Sequence, residues 1–154
     1  MDEGARNEQL RENLWRDLRA EHRQLERVLD DVRSLAEDGS FETARRRFGE
    51  YRLAHERHLN AERKLEALCS DVPEVASFVD RLRRRRARVL EQSERVWISL
   101  CQERGALVPR LLHRLATLVA DHEDAQRRLI LADLPLGSER GREQGVLLRS
   151  IGRF

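Results

Sequence analysis

Apolar residues recur at helical spacing through most of the chain, in four blocks separated by short breaks. The first stripe is Leu18, His22, Leu25, Leu29 and Val32, stepping by 4, 3, 4 and 3, with Leu10 and Leu14 extending it upstream. Glu37-Asp38-Gly39-Ser40 interrupts it, and Ser40 stands where an N-cap is wanted for the next helix. The second stripe runs through Phe41, Ala44, Phe48, Tyr51, His55, His58, Glu62, Leu65 and Cys69. Ser70-Asp71-Val72-Pro73 is a stop and restart, with proline suited to a first turn. The third stripe is Val75, Val79, Leu82, Arg86, Val89, Ser93, Val96 and Leu100. After a boundary marked by Gly105 and Pro109, the fourth is Val108, Leu111, Leu115, Leu118, His122, Ala125 and Leu129, with Gln126 beside it. Long amphipathic segments joined by short connections predict an all-α protein, an antiparallel up-down-up-down four-helix bundle spanning residues 10–135. A polar extension, 1–9, precedes the bundle, and a tail, 136–154, follows it. The tail turns from polar to apolar at Val146, Leu147, Leu148 and Ile151, which fits a short helix folding back on the bundle or docking on a partner.

Polar side chains interrupt these stripes in a repeating order. His22 and His58 lie 36 residues apart, and adding 64 to each number gives Arg86 and His122. The same shift carries Glu62 onto Gln126. All six are expected to project into one layer of the bundle. Bundle cores are where iron and manganese carboxylate sites are built, from Glu and His at turn-related spacings. His58 and Glu62, four residues apart, place an imidazole and a carboxylate on one helix face. His55 sits in the same seam one turn earlier, either as an additional ligand or, the better bet for a lone inward histidine, as part of the core. His113 falls off its stripe and reads as a surface residue.

On His22 within Leu18-Arg19-Ala20-Glu21-His22, on His58-Leu59-Asn60-Ala61-Glu62, and on His122-Glu123-Asp124-Ala125-Gln126, the chain resembles the hemerythrin-like, or HHE cation-binding, family. The resemblance covers roughly Leu10 to Pro135. It implies a metal site from His22, His58, Glu62 and His122, with non-haem iron as the cofactor. It further implies dioxygen or another small diatomic as ligand, in oxygen carriage, sensing or a stress response. The family pattern asks for a third-helix histidine and a second bridging carboxylate, and here those positions hold Arg86 and Gln126. Arginine is always protonated and offers no lone pair, so it is no ordinary ligand. By the family's geometry His22, His58 and Glu62 form an intact half-site, which favours one ion over two and leaves His122 orphaned beside Arg86.

A second reading needs no metal. Arg86 would pair with Glu62, and with Glu123 if that side chain reaches, as a covalently attached substitute for an ion. The bundle would then serve as a regulatory or protein-interaction module.

Composition narrows the remaining classes. Charged residues make up 38% and apolar residues 40% of 154, with three prolines and eight glycines, which suits helices rather than a sandwich or barrel. Thirty basic against 28 acidic residues leave a net charge of +2, too small an excess for a general nucleic-acid binder. The run Arg83 to Arg86 spreads around a helix, puts only Arg86 in the seam, and lacks interleaved aromatics. Trp15 and Trp97 neighbour seam positions and read as packing residues. Cys69 and Cys101 show no zinc-like or redox-like spacing. The absence of an apolar leader or of a long apolar run leads us to expect a soluble, cytoplasmic protein with no membrane partner. No nucleophile–base pair, phosphate loop or dinucleotide motif points to an enzyme.

Overall fold

A computed structural model describes residues 3–69 and 73–131. The predicted tail, 136–154, and the boundary at Pro135 lie outside the described residues, as do the side chains of Leu10, Leu14, Leu65, Cys69 and Val75. The described residues form four helices: α1 Glu3–Glu37, α2 Phe41–Cys69, α3 Pro73–Cys101 and α4 Val108–Leu131. The polar segment set apart at 1–9 is continuous with α1 from Glu3 onward. Each helix packs on two neighbours, α1 on α2 and α4, and α3 on α2 and α4, as in an up-down bundle. No helix among the described residues is long and apolar enough to cross a membrane.

The turns at one end of the bundle explain how the helices keep a common register. Gly39, at φ +77°, closes α1: its N–H donates to the Ala36 carbonyl at 3.1 Å, and the Ser40 N–H to that of Leu35 at 2.8 Å. This is a Schellman closure with glycine in the left-handed position. Ser40 then accepts the first helical bond of α2 from the Ala44 N–H at 2.9 Å, as an N-cap residue does. The same closure ends α3. Glu103, at φ 54°, donates to the Leu100 carbonyl at 3.2 Å, and Arg104 to that of Ser99 at 3.0 Å. Gly39 and Glu103 are 64 residues apart, so the offset that relates the histidines also relates the backbone turns. Glutamate in that conformation is less comfortable than glycine. The Arg45 guanidinium meets it, bonding the Leu100 carbonyl at 3.1 Å and the Glu103 carboxylate at 3.4 Å.

From these turns an apolar core fills the adjoining part of the bundle. Leu29, Val32, Phe48, Tyr51, Val89, Val96, Leu100, Val108, Leu112, Leu115 and Val119 are all buried in it. The stripes of α1, α2 and α3 are as the spacing predicts, wherever their side chains are described. In α4 the inward positions are Leu112 and Val119, with Leu111 and Leu118 only partly buried. Both pairs are apolar doublets, and periodicity alone does not tell which member faces a seam shared with two helices. Beyond the core, the same seams turn polar.

Candidate functional site

One turn of seam on each helix brings His22, His58, Glu62, Arg86, His122 and Gln126 together, all buried. Three further carboxylates join them: Glu66 from α2, Glu21 from α1 and Glu123 from α4. Every polar position singled out in the repeat thus reaches one layer, packed next to the apolar core.

Two imidazoles meet edge to face at its centre. The Nε2 atoms of His22 and His58 are 3.3 Å apart, with ring centroids at 4.8 Å and planes at 71°. Behind each ring stands a carboxylate: Glu21 lies 3.3 Å from His58 Nδ1, and Glu123 lies 3.1 Å from His22 Nδ1. The second contact is an ion-pair distance out of line for a full hydrogen bond. Carboxylates in these places favour a proton on each Nδ1, which turns the Nε2 lone pairs toward one another. The Gln126 amide reinforces this, because its Nε2 lies 3.1 Å from His58 Nε2 and donates to Glu62 at 3.0 Å. A positive charge between the two rings, either a proton or a metal ion, relieves the facing lone pairs.

The carboxylates divide between two partners: Glu62 and Glu66 meet the buried guanidinium of Arg86, while Glu21 and Glu123 stand against the two imidazoles. Burial disfavours a cationic His58, but the Glu21 hydrogen bond and the charges of Glu21 and Glu62 outweigh it and raise its pKa. Burial likewise works to raise the Glu21 carboxyl, and its bond to His58 and the charges of His58 and His22 hold it below its ordinary value. Glu21 also lines an open groove between α1 and α2 with Asp17, Tyr51 and Arg57, which links the layer to solvent.

Arg86 has a different partner from the one expected. The sequence suggested Glu62, which lies 3.6 Å from Arg86 Nη1. The main partner is Glu66, held by two parallel bonds, Nη1 to Oε1 and Nη2 to Oε2, the latter at 3.0 Å. Such a fork suits a guanidinium and a carboxylate and keeps both planar groups in register. Burial opposes the charge of Arg86, while the Glu66 bonds and the charges of Glu62 and Glu66 outweigh it and hold its pKa above its ordinary value. Glu123, the other partner considered for Arg86, goes to His22 instead. Nor is His122 orphaned: its Nε2 meets Glu62 Oε2 at 2.8 Å. Among the described residues, His122 Nδ1 and Glu62 Oε1 are buried without a hydrogen bond.

His55 stands one turn from the layer. Its ring stacks on Tyr51 at 5.4 Å and lies nearly parallel to His58 at 6.4 Å. Burial, aided by the charges of His58, His122 and His22, pushes it down to about 3, so it is a neutral ring at ordinary pH. His113 is exposed, and of the arginine run only Arg86 is buried.

These distances test the fit of a metal. Two imidazole nitrogens bound at about 2.1 Å to one ion, at a right or tetrahedral angle, stand roughly 3.0–3.4 Å apart. The 3.3 Å between His22 and His58 matches that spacing. A full shell is a stricter demand, and among the described residues no three His, Cys, Asp or Glu groups converge as one. The two imidazoles are a kernel, and Glu62, which accepts from the same Gln126 amide that meets His58, has one buried oxygen without a hydrogen bond among the described residues. A guanidinium and an amide, neither an ordinary metal ligand, stand in the layer at Arg86 and Gln126. No protein-family model matches the chain, and no curated protein or solved structure matches it either.

Proposed function

We propose that the protein is a hemerythrin-like metal-binding bundle that holds a single ion. His22 and His58 would bind through Nε2, Glu62 would supply the negative ligand, and His122 stands next in reach. What carries the reading is the pair of buried Nε2 atoms 3.3 Å apart, each ring backed by a carboxylate at Nδ1. Carboxylates in that place orient metal-bound histidines and raise their basicity. Iron is the metal to which the hemerythrin resemblance points, and it would supply reversible binding of dioxygen or another diatomic, or one-electron redox chemistry. The chain's own residues hold the rings and balance charge. A binding or sensing role fits better than catalysis, since no substrate-recognition motif accompanies the layer.

A second reading has its own support. The bonds among Gln126, Glu62, His122 and His58, together with the Arg86–Glu66 fork, close much of the layer without an ion. A proton between His22 and His58 would then take the place of the metal, and the bundle would act as a regulatory or interaction module.

Metal content decides between them. Protein purified without oxygen and without an affinity-tag metal is expected to carry, or to take up on reconstitution, about one iron per chain. His58→Ala should lose it. Absence of iron, manganese and zinc in the folded wild type even after reconstitution would overturn the metal reading.

A further inference from the structure

We infer that the Arg86–Glu66 pair is a lock on a second metal position, and that Glu66 is a latent ligand released when Arg86 is replaced. The inference rests on the metal reading of the layer and deepens it by assigning what fixes the number of ions.

Both members of the pair break the internal repeat. Arg86 stands 64 residues after His22, where the repeat would place an imidazole, and position 130, the counterpart of Glu66, holds an isoleucine. The cation of the third helix and the carboxylate of the second thus meet at two positions that have no like counterpart in the repeat. Glu66 lies one turn beyond Glu62 on the same face of α2, and both carboxylates are buried. With Arg86 present, both oxygens of Glu66 are bonded to the guanidinium, and one is also 3.4 Å from Arg83 Nε. None is left for an ion. The guanidinium also stands 3.6 Å from the free oxygen of Glu62, where its charge repels a second metal. Nδ1 of His122 and Oε1 of Glu62 are both buried and make no hydrogen bond among the described residues.

Replacing the guanidinium by an imidazole therefore does two things at once. It removes the fixed positive charge, and it frees a buried carboxylate one turn from Glu62. The new imidazole, Glu66, Glu62 and His122 together offer donors of the types that bind cobalt or iron in a bundle.

The test counts ions with cobalt(II) as the probe, by elemental analysis and by its visible absorption during titration. Arg86→His is expected to take up about one more cobalt per chain than the wild type, with new absorption in the visible. Adding Glu66→Gln to Arg86→His should abolish that increment. The increment is read against the wild type, so the two ideas fail separately. A wild type that binds none sinks the one-ion reading, whereas Arg86→His with no increment sinks the lock. Persistence of the increment in the double variant overturns the role of Glu66. If Arg86→His is unfolded without metal, circular dichroism with cobalt present gives the answer. Recovery of the helices supports the latent site, and failure to recover them refutes it.

Discussion

Removing either half of the Arg86–Glu66 pair should destabilise the protein by unequal amounts, and the inequality follows from what each variant leaves behind. The side chain of Glu66 is 3% exposed and that of Arg86 10%, so water screens the pair poorly. Breaking a buried pair from one side costs about 3–5 kcal/mol, against about 0–1 for a surface pair. Glu66→Leu leaves the guanidinium with a second carboxylate, Glu62, already 3.6 Å away, so its cost falls near the lower end, about 3 kcal/mol. Arg86→Met leaves Glu62 and Glu66 buried together with no guanidinium between them, so about 5 kcal/mol is expected. Arg83 offsets little of this, because its side chain is 51% exposed. Combining Glu66→Leu with Arg86→Met removes both charges and should cost less than Arg86→Met alone, since apolar replacement of a buried pair is often close to neutral. Urea unfolding followed by helical circular dichroism, in chelator, reads all three by linear extrapolation. For a chain of this size the Glu66→Leu loss corresponds to roughly 6–12 °C in Tm. A Glu66→Leu loss under about 1 kcal/mol, or a double variant as unstable as the two single losses added, would refute a dry, coupled pair.

Two further expectations concern α2. His55 titrates at about 3 when folded and at its ordinary 6.5 when unfolded, so its buried neutral ring contributes fully above pH 6.5 and less as the pH falls toward 3. Relative to a His55→Phe variant, the metal-free wild type should lose roughly 2 kcal/mol more between pH 6 and pH 4, and equal slopes by urea titration would rule this out. The Tyr51 hydroxyl is buried without a hydrogen-bond partner, so Tyr51→Phe should leave stability unchanged or raise it by about 1 kcal/mol, whereas a clear loss would reveal an unseen partner.

The layer was legible because its residues interrupt stripes that are otherwise apolar. His22, His58, Glu62, Arg86 and His122 each fall on a step of 3 or 4 within a seam, and Gln126 follows by the repeat. Glu66 was hidden by its setting. It lies in Ala61-Glu62-Arg63-Lys64-Leu65-Glu66, a run that resembles a solvated helix face, and the only signals were its four-residue spacing from Glu62 and the need of a seam arginine for a carboxylate. Glu21 escaped, and Glu123 was expected at Arg86 instead of His22, for a different reason. Each is next in sequence to a layer histidine and points to a neighbouring helix, meeting the ring of the other hairpin or helix rather than its own neighbour. Pairings of that kind depend on which helices are adjacent, and a single-helix pattern does not carry that information. The α4 doublets Leu111-Leu112 and Leu118-Val119 show the same limit for apolar positions.

The separation of the polar layer from the apolar core has an energetic consequence. The leucines, valines and aromatics between the layer and the two matched turns form a core of their own, so the bundle's packing does not rest on the layer alone. That seam would be filled most stably by aliphatic side chains, since apolar replacement of a whole buried ion pair is often stabilising. Three imidazoles, two carboxylates and a guanidinium are buried there instead. The layer is therefore a part of the bundle where burial works against stability, and the Arg86–Glu66 fork and the bonds to Glu62 are what offset that cost.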